Sequence, residues 1–229
     1  MINVHSHILY GVDDGSENLE QSIDMLNECA KQGITDLVLT PHYRGAFKQS
    51  YQKLKEKFDE FSLLVKEQNL NMNLYLGQEI TYRDSFFDLY KAGEFGGING
   101  GRYVLIEFDF HKSIDYSNVM HEIKLMNLVP IIAHPERYDH FTLADACEIR
   151  QIGGMIQVNA ESIVGKNRHR YKKLINAMFK EGLVDIVAGD EHYSRPILME
   201  KAYKHVLKHF GEDAAKVTFY INAKKVIKG

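Results

Sequence analysis

The stretch MINVHSHILYGVDDG, residues 1–15, decides how the rest of the chain is read. Residues 2–5 form a short apolar run that ends in an H-x-H pair, His5 and His7, followed by a VDDG turn that carries Asp14. Side chains two apart on a strand lie on the same side, so both imidazoles can reach one ion. Taken alone, Asp14 is a turn former, since Asp and Gly are standard turn residues. An H-x-H strand taken alone also has an ordinary structural explanation. The pair gains meaning because the same arrangement recurs along the chain.

Apolar strands are expected at residues 34–40 (ITDLVLT), 73–80, 103–108, 129–133, 155–159 and 184–188. Between them lie amphipathic stretches with helical spacing, such as Leu19, Ile23, Leu26 and Ala30, which Gly33 terminates. Further helices are expected near residues 50–67, 86–91, 119–126, 143–151, 171–180 and from about 198 onward. Alternating strands and helices imply βα units and a mostly parallel sheet. The sequence has no linker, repeat or low-complexity tract, so residues 1–229 read as one domain. The polar residues decide between a barrel and an open doubly wound sheet. His5 and His7 end the first strand, His42 the second, Glu79 the third, Glu107 the fourth and His134 the fifth, while Asp190 and His192 follow the seventh. A barrel brings all of these strand ends to one face, whereas an open sheet spreads them along an edge. The expectation is a distorted seven-stranded (β/α) barrel of TIM-like type.

An ionised carboxylate inside such a barrel is costly unless it is paired or binds metal. Five histidines (His5, His7, His42, His134, His192) and four carboxylates (Asp14, Glu79, Glu107, Asp190) are too many for one cation. They suit two or three ions of the Zn, Mn or Fe type. Pairs of ions ~3.5–4 Å apart activate water and stabilise phosphoryl transfer. Arg44, Arg137 and Arg195 each follow a candidate ligand by two or three residues. Guanidinium groups bind phosphate oxygens in a bidentate manner, so these arginines point to a phosphorylated substrate. His111, His121, His140, His169, His205 and His209 fall outside the pattern and are assigned to surface or core. Tyr43, Phe47 and Tyr51 either rim the site or pack the following loop.

A formal net charge of -3 argues against a nucleic-acid partner. Cys29 and Cys147 lie far apart in apolar, helical contexts, so a disulfide scaffold is not expected and the chain reads as cytoplasmic. The N-terminus lacks the basic start and apolar core of a signal peptide. No run of 18 apolar residues occurs, so direct membrane insertion is not expected.

On these residues the chain resembles the polymerase and histidinol phosphatase superfamily. Within it, the chain is most similar to the bacterial manganese-dependent protein-tyrosine phosphatases of capsule and exopolysaccharide operons. The matching stretches are MINVHSHILYGVDDGSENLEQSIDML, LTPHYRG, GQEI, VLIEF, PIIAHPERY, IQVNAESIVG and GDEHYSRP, in the expected order across nearly the whole chain. The resemblance implies three divalent ions, manganese foremost, with iron, magnesium or zinc as alternatives. The first ion would take His5, His7, Glu79 and Asp190. The second would take Glu79 as a bridge, with Glu107 and His134, and the third Asp14, His42 and His192. Arg137 and Arg195 would hold the phosphate. The implied substrate is phosphotyrosine on the tail of a membrane-associated tyrosine autokinase that controls polysaccharide synthesis. Two departures stand out: Tyr43 replaces the second histidine of T-P-H-H-R, and Gly189-Asp190-Glu191-His192 replaces Ser-Asp-x-His. Alternative readings are a small-molecule phosphatase such as one for histidinol phosphate, a non-catalytic module that binds a phosphorylated tail, and an amidohydrolase on a similar barrel.

Overall fold

The computed structural model describes residues 1–68 and 70–229. In chain order its strands are β1 (Ile2–Asn3), β2 (Asp36–Leu39), β3 (His42–Tyr43), β4 (Asn73–Leu76), β5 (Glu79–Thr81), β6 (Tyr103–Glu107), β7 (Val129–Ala133), β8 (Met155–Asn159) and β9 (Ile186–Ala188). Its α-helices are α1 (Leu19–Lys31), α2 (Tyr51–Glu67), α3 (Phe86–Lys91), α4 (Tyr116–Leu125), α5 (Leu143–Ile152), α6 (Ala160–Val164), α7 (Arg168–Lys180), α8 (Met199–Phe210), α9 (Glu212–Lys216) and α10 (Asn222–Lys228). The expected C-terminal helix is broken after Phe210 by Gly211, whose positive φ of 93° ends α8. The short α6 was not anticipated.

Every strand pairing is parallel, in the orders β1-β2-β4 and β3-β5-β6-β7-β8-β9. The two sets are pieces of one ring. Residues 36–43 form one strand path that is interrupted at Thr40-Pro41, and residues 73–81 form another that is interrupted at Gly77-Gln78. Backbone bonds carry the ladder across both breaks: Gly77 N–H donates to Leu39 O at 2.8 Å and Glu79 N–H to Pro41 O at 3.1 Å. The ring closes between its first and last strands. Asp190 N–H donates to His5 O and His7 N–H to Glu191 O, each at 2.9 Å. The chain is therefore a distorted (β/α)7 barrel, with the expected seven strands present and two of them split.

Alternation along the strands places the core. Tyr103 and Leu105, Val129, Ile131 and Ala133, Met155, and Ile186 and Ala188 share one buried cluster inside the barrel. Their neighbours Val104, Ile106, Ile132, Ile156 and Val187 face the second cluster, against the helices. Ala223, Val226 and Ile227 of α10 join the inner cluster, so this helix plugs the end of the barrel where the strands begin. Local signals place the helices: Asn18 accepts from Gln21 N–H at 3.0 Å at the start of α1, and Thr142 and Asp145 form a capping box on α5.

Candidate metal centre

In β6, β8 and β9 the inward column begins apolar and ends polar. Glu107 is the next inward position after Tyr103 and Leu105, Gln157 and Asn159 follow Met155, and Asp190 follows Ile186 and Ala188. The strand ends therefore deliver His5, His7, His42, Glu79, Glu107, His134, Asp190 and His192 to one end of the barrel, all of them buried. Asp14 reaches the same place from its turn and stays exposed.

Nitrogen and oxygen atoms of these residues assemble into four overlapping groups, each within 4.8 Å: His7, Asp14, His42 and His192; His5, His7 and Asp190; His5, Glu79 and His134; and His42, Glu79 and Glu107. All nine residues expected at the site belong to at least one group. None of the six histidines outside the pattern belongs to any of these groups.

The hydrogen bonds fix which atoms are free. His5 Nδ1 donates to the amide oxygen of Gln157 at 2.8 Å. His7 Nδ1 donates to Asp13 Oδ2 at 2.6 Å. In its neutral form each ring therefore turns an unprotonated Nε2 inward, and the two Nε2 atoms lie 3.2 Å apart. Two lone pairs at that distance repel unless a proton or cation lies between them. Glu79 and Asp190 oxygens stand 3.4–3.5 Å from both nitrogens. Glu79 Oε2 has no hydrogen-bond donor despite complete burial, although His42 Nδ1 stands 2.7 Å away. Such unspent donor atoms, nitrogen and oxygen mixed, fit divalent cations of the zinc or manganese type.

The charges are strongly coupled. Burial works to raise the Glu79 and Asp190 carboxyls, but the neighbouring imidazoles, His5 foremost, hold both well below the usual range. Burial also works to lower His7, but Asp13 overrules it and holds the imidazole well above its ordinary value. Asp13 itself is held down at about 2 against burial by His7 and by the His42 N–H. Glu107 is pushed up to about 7 by burial and by the charge of Glu79. His192 is pushed down to about 4 by burial and by His7, so it is neutral at pH 7 and presents a lone pair.

His134, the first residue beyond β7, and Asp190, the second beyond β9, have φ of 33° and 53°. Such backbone is uncommon for non-glycine residues and costs ~1–3 kcal/mol, a cost met at functional sites. Gly15 is needed for a different reason, because a Cβ there would lie 2.0 Å from His7 O.

The arginines gather on Asp190. Arg137 Nη1 lies 3.0 Å and Arg195 Nη1 3.4 Å from Asp190 Oδ2, which also accepts from Asn159 Nδ2 at 2.8 Å. Asp190 Oδ1 is left to face His5, His7 and His192. The Arg137 guanidinium stacks over Phe110 at 4.7 Å. A cavity of about 280 Å3 opens beside it, lined by Arg137, Arg195, Asn159, Glu161, Asn167 and Tyr171. Arg44 instead bridges Asp14 Oδ2 at 2.9 Å and Glu107 Oε2 at 3.4 Å.

Sequence reading missed the outer supports. Asp13 holds His7, and Gln157 and Asn159 tie His5 to Asp190 through the Gln157 Nε2 to Asn159 Oδ1 bond of 2.7 Å. Strand alternation alone could have found the last two. Tyr43 does not rim the site. It is buried, packs on Phe95 at 5.5 Å and donates to Glu94. Glu191 is buried but belongs to none of the four groups, and both its oxygens accept from Asn3 Nδ2 at 2.7 Å. Burial pushes its carboxyl up to about 7. A Cβ on Gly189 would meet that carboxylate at 1.5 Å. Glycine at 189 thus leaves the space that the Glu191 carboxylate occupies.

The chain is 32% identical over 238 residues to the tyrosine-protein phosphatase CpsB of Streptococcus pneumoniae, covering 99% of this chain and 98% of that protein. It is 28% identical over 220 residues to the tyrosine-protein phosphatase YwqE of Bacillus subtilis, covering 93% and 86% respectively. Its fold matches, with a TM-score of 0.93 at 25% identity, a crystal structure from work on YwqE and CpsB, described as unique metal-dependent tyrosine phosphatases; 100% of this chain and 94% of that chain are covered. The histidinol phosphate phosphatase of Lactococcus lactis, solved with zinc, L-histidinol and phosphate, shares the fold at a TM-score of 0.58 and 11% identity, covering 92% and 94%. With a match running over residues 1–228, the chain belongs to the capsular polysaccharide synthesis family CpsB/CapC.

Proposed function

We propose that this chain is a metal-dependent protein-tyrosine phosphatase that removes phosphate from the tyrosine-bearing tail of a membrane-associated kinase governing capsule or exopolysaccharide synthesis. One observation carries the reading: the inward Nε2 atoms of His5 and His7, 3.2 Å apart, faced by Glu79 and Asp190. That cluster is short of positive charge and rich in lone pairs. His5, His7, Glu79 and Asp190 would hold a first ion, Glu79, Glu107 and His134 a second, and Asp14, His42 and His192 a third. Manganese is the proposed native ion. When bound, such ions lower the pKa of water to near neutrality and offset charge on a phosphoryl group.

The chain's own residues supply the remaining steps. Arg137 and Arg195 lie beside the cluster, partly exposed, and both donate to Asp190. An incoming phosphate monoester offers them stronger bidentate acceptors, so they can turn to its oxygens and stabilise charge there. Gln157 and Asp13 fix the tautomers of His5 and His7 and keep their inward nitrogens available. Phe110, against Arg137, offers an apolar wall to an aromatic leaving group. A phenolate, with a reference pKa of ~10, needs less protonation on departure than an alkoxide does. No general acid is therefore required of the neutral His192. Among the described residues no helix is long and apolar enough to cross a membrane. The proposed site of action is the cytoplasm, with contact to the membrane through the kinase.

The test is phosphate release from a phosphotyrosyl peptide by chelator-stripped protein, with each divalent ion restored in turn. Manganese should restore turnover. Release from histidinol phosphate but not from the peptide would move the chain to small-molecule chemistry. Tight peptide binding without release under any ion would make it a binding module.

A further inference from the structure

The opposite end of the barrel holds a second concavity, unrelated to the metal-ligand cluster. It has a volume of about 570 Å3, in the size range of small-molecule sites. Its floor is the beginning of the strands: Tyr103 opens β6, Val129 opens β7 and Met155 opens β8. Each of these strands ends at the candidate metal centre four to five residues later, roughly 13–17 Å away at ~3.3 Å per residue. An anion in this concavity cannot be the phosphate that the arginines of the metal end receive.

The walls are basic. Arg102 precedes β6, Lys124 comes from α4, Arg150 from α5 and Lys225 from α10. One carboxylate lines the cavity, that of buried Asp185. Arg150 is paired with it, and Asp185 Oδ2 also accepts from Ile156 N–H at 2.8 Å. That pair anchors the Arg150 guanidinium while leaving part of its fork free. Arg102, Lys124 and Lys225 make no ion pair among the described residues. The result is a local surplus of cations on a chain whose net charge is -3. Gly153 and Gly154 form the wall beside Lys124. Gly153 closes α5 at a φ of 83°, and Lys124 Nζ lies against it, 3.0 Å from where a Cβ would be.

The geometry points to a binding site for a small soluble anion that carries two or three linked phosphates, of the nucleoside di- and triphosphate class. The four cations come from four separate segments around one hollow, an arrangement that suits a linked polyphosphate better than a single small anion. Arginine offers such groups a planar fork and lysine a point charge. The shape is a pocket rather than a stripe, which disfavours polymeric nucleic acid.

The probe is MgADP, titrated calorimetrically into the metal-loaded full chain with excess magnesium, so that the nucleotide does not strip the metal centre. Saturable binding is expected, with orthophosphate at least about tenfold weaker. Lys124→Ala and Lys225→Ala should each weaken MgADP about tenfold, the size of one lost charge-assisted hydrogen bond. Arg137→Ala should leave MgADP affinity unchanged while it impairs phosphatase turnover. Lys225→Glu, a change at an exposed position of α10, should abolish MgADP binding and leave unstimulated turnover on a phosphotyrosyl peptide intact. Three outcomes would overturn the assignment: no binding at millimolar MgADP, affinity indifferent to the lysine variants, or affinity lost with Arg137→Ala.

Discussion

Asp185 and Asp190 are five residues apart, at opposite ends of the same barrel strand, and both are buried carboxylates. Both meet arginines, but only Asp190 also faces imidazoles. Asp185 has a built-in partner, Arg150, and a backbone N–H, and burial still pushes it up to about 6. Asp190 lies among imidazoles, His5 foremost, that hold it well below the usual carboxylate range against the same burial. At the strand-beginning end, an acidic group is balanced by the chain itself. At the strand-ending end, acidic and imidazole groups are packed in numbers that balance only if the imidazoles take protons or if cations arrive. A fold selected for stability alone would not gather Glu79, Glu107 and Asp190 within reach of one another, since unpaired buried charge is costly. The comparison thus separates an end built to hold itself together from an end built to hold something else.

The sharpest way to break the comparison is to remove what the second end is proposed to hold. Glu79 faces His5, His7, His42 and His134, so Glu79→Ala should lower phosphotyrosyl-peptide turnover by about 10³-fold, the scale of losing a preorganised charge-stabilising group. Bound metal, measured by elemental analysis, should fall with it. Full metal content with full turnover would show that the cluster is structural. A smaller effect is expected one contact further out. Asp13→Asn removes the carboxylate that fixes the His7 tautomer, and it should cost about 10–100-fold in metal affinity or activity. If Asp13→Asn matched Glu79→Ala in severity, Asp13 would have to act on the metal or substrate directly.

Stability should move the other way at the same end. In chelated protein the Glu107 carboxyl is raised to about 7 by burial and by Glu79. A carboxyl raised in the folded state binds its proton more tightly there than in the unfolded chain. Its stabilising contribution is therefore present below the unfolded pKa of ~4.3 and is lost as pH rises towards 7. Glu107→Gln removes that loss. The chelated variant should be more stable than the chelated parent by on the order of 2 kcal/mol at pH 8, with the gap closing below about pH 4. Denaturant melts at the two pH values measure it. A variant less stable at both would mean that Glu107 is well paired without metal.

The same contrast explains what was legible in the sequence. The seven strands were readable because buried parallel strands are continuous apolar runs. The candidate ligands other than Asp14 were readable because each stands at or just beyond the end of such a run. The splitting of two strands was not readable, since it depends on how the ring bends at Pro41 and Gly77. The supports were missed because they depend on pairing between distant segments. Gln157 meets His5 across 152 positions and Asn3 meets Glu191 across 188. Tyr43 was left open between rim and packing for a related reason: its ring goes to Phe95 and Glu94, a loop whose approach no local pattern announces.

The smallest expected effect guards the whole comparison. A phosphatase could work instead through a thiolate, and then neither end of the barrel would matter to the chemistry. The two cysteines offer little for that. Cys29 is fully buried in α1, and burial, reinforced by Glu191 and Glu28, pushes its thiol well above the ordinary value. A nucleophilic cysteine needs the opposite environment, electropositive and partly open. Cys147 is half-buried on α5, a helix that begins nine residues after His134 has left its strand and packs outside the ring. The double variant Cys29→Ser, Cys147→Ser should therefore keep kcat within about twofold of the parent, although Ser at position 29 places a hydroxyl in an apolar site at a stability cost of ~1–3 kcal/mol. Turnover measured well below the melting temperature separates the two effects. Abolished turnover in a folded, metal-replete double variant would transfer the chemistry from the histidine–carboxylate end to a thiol.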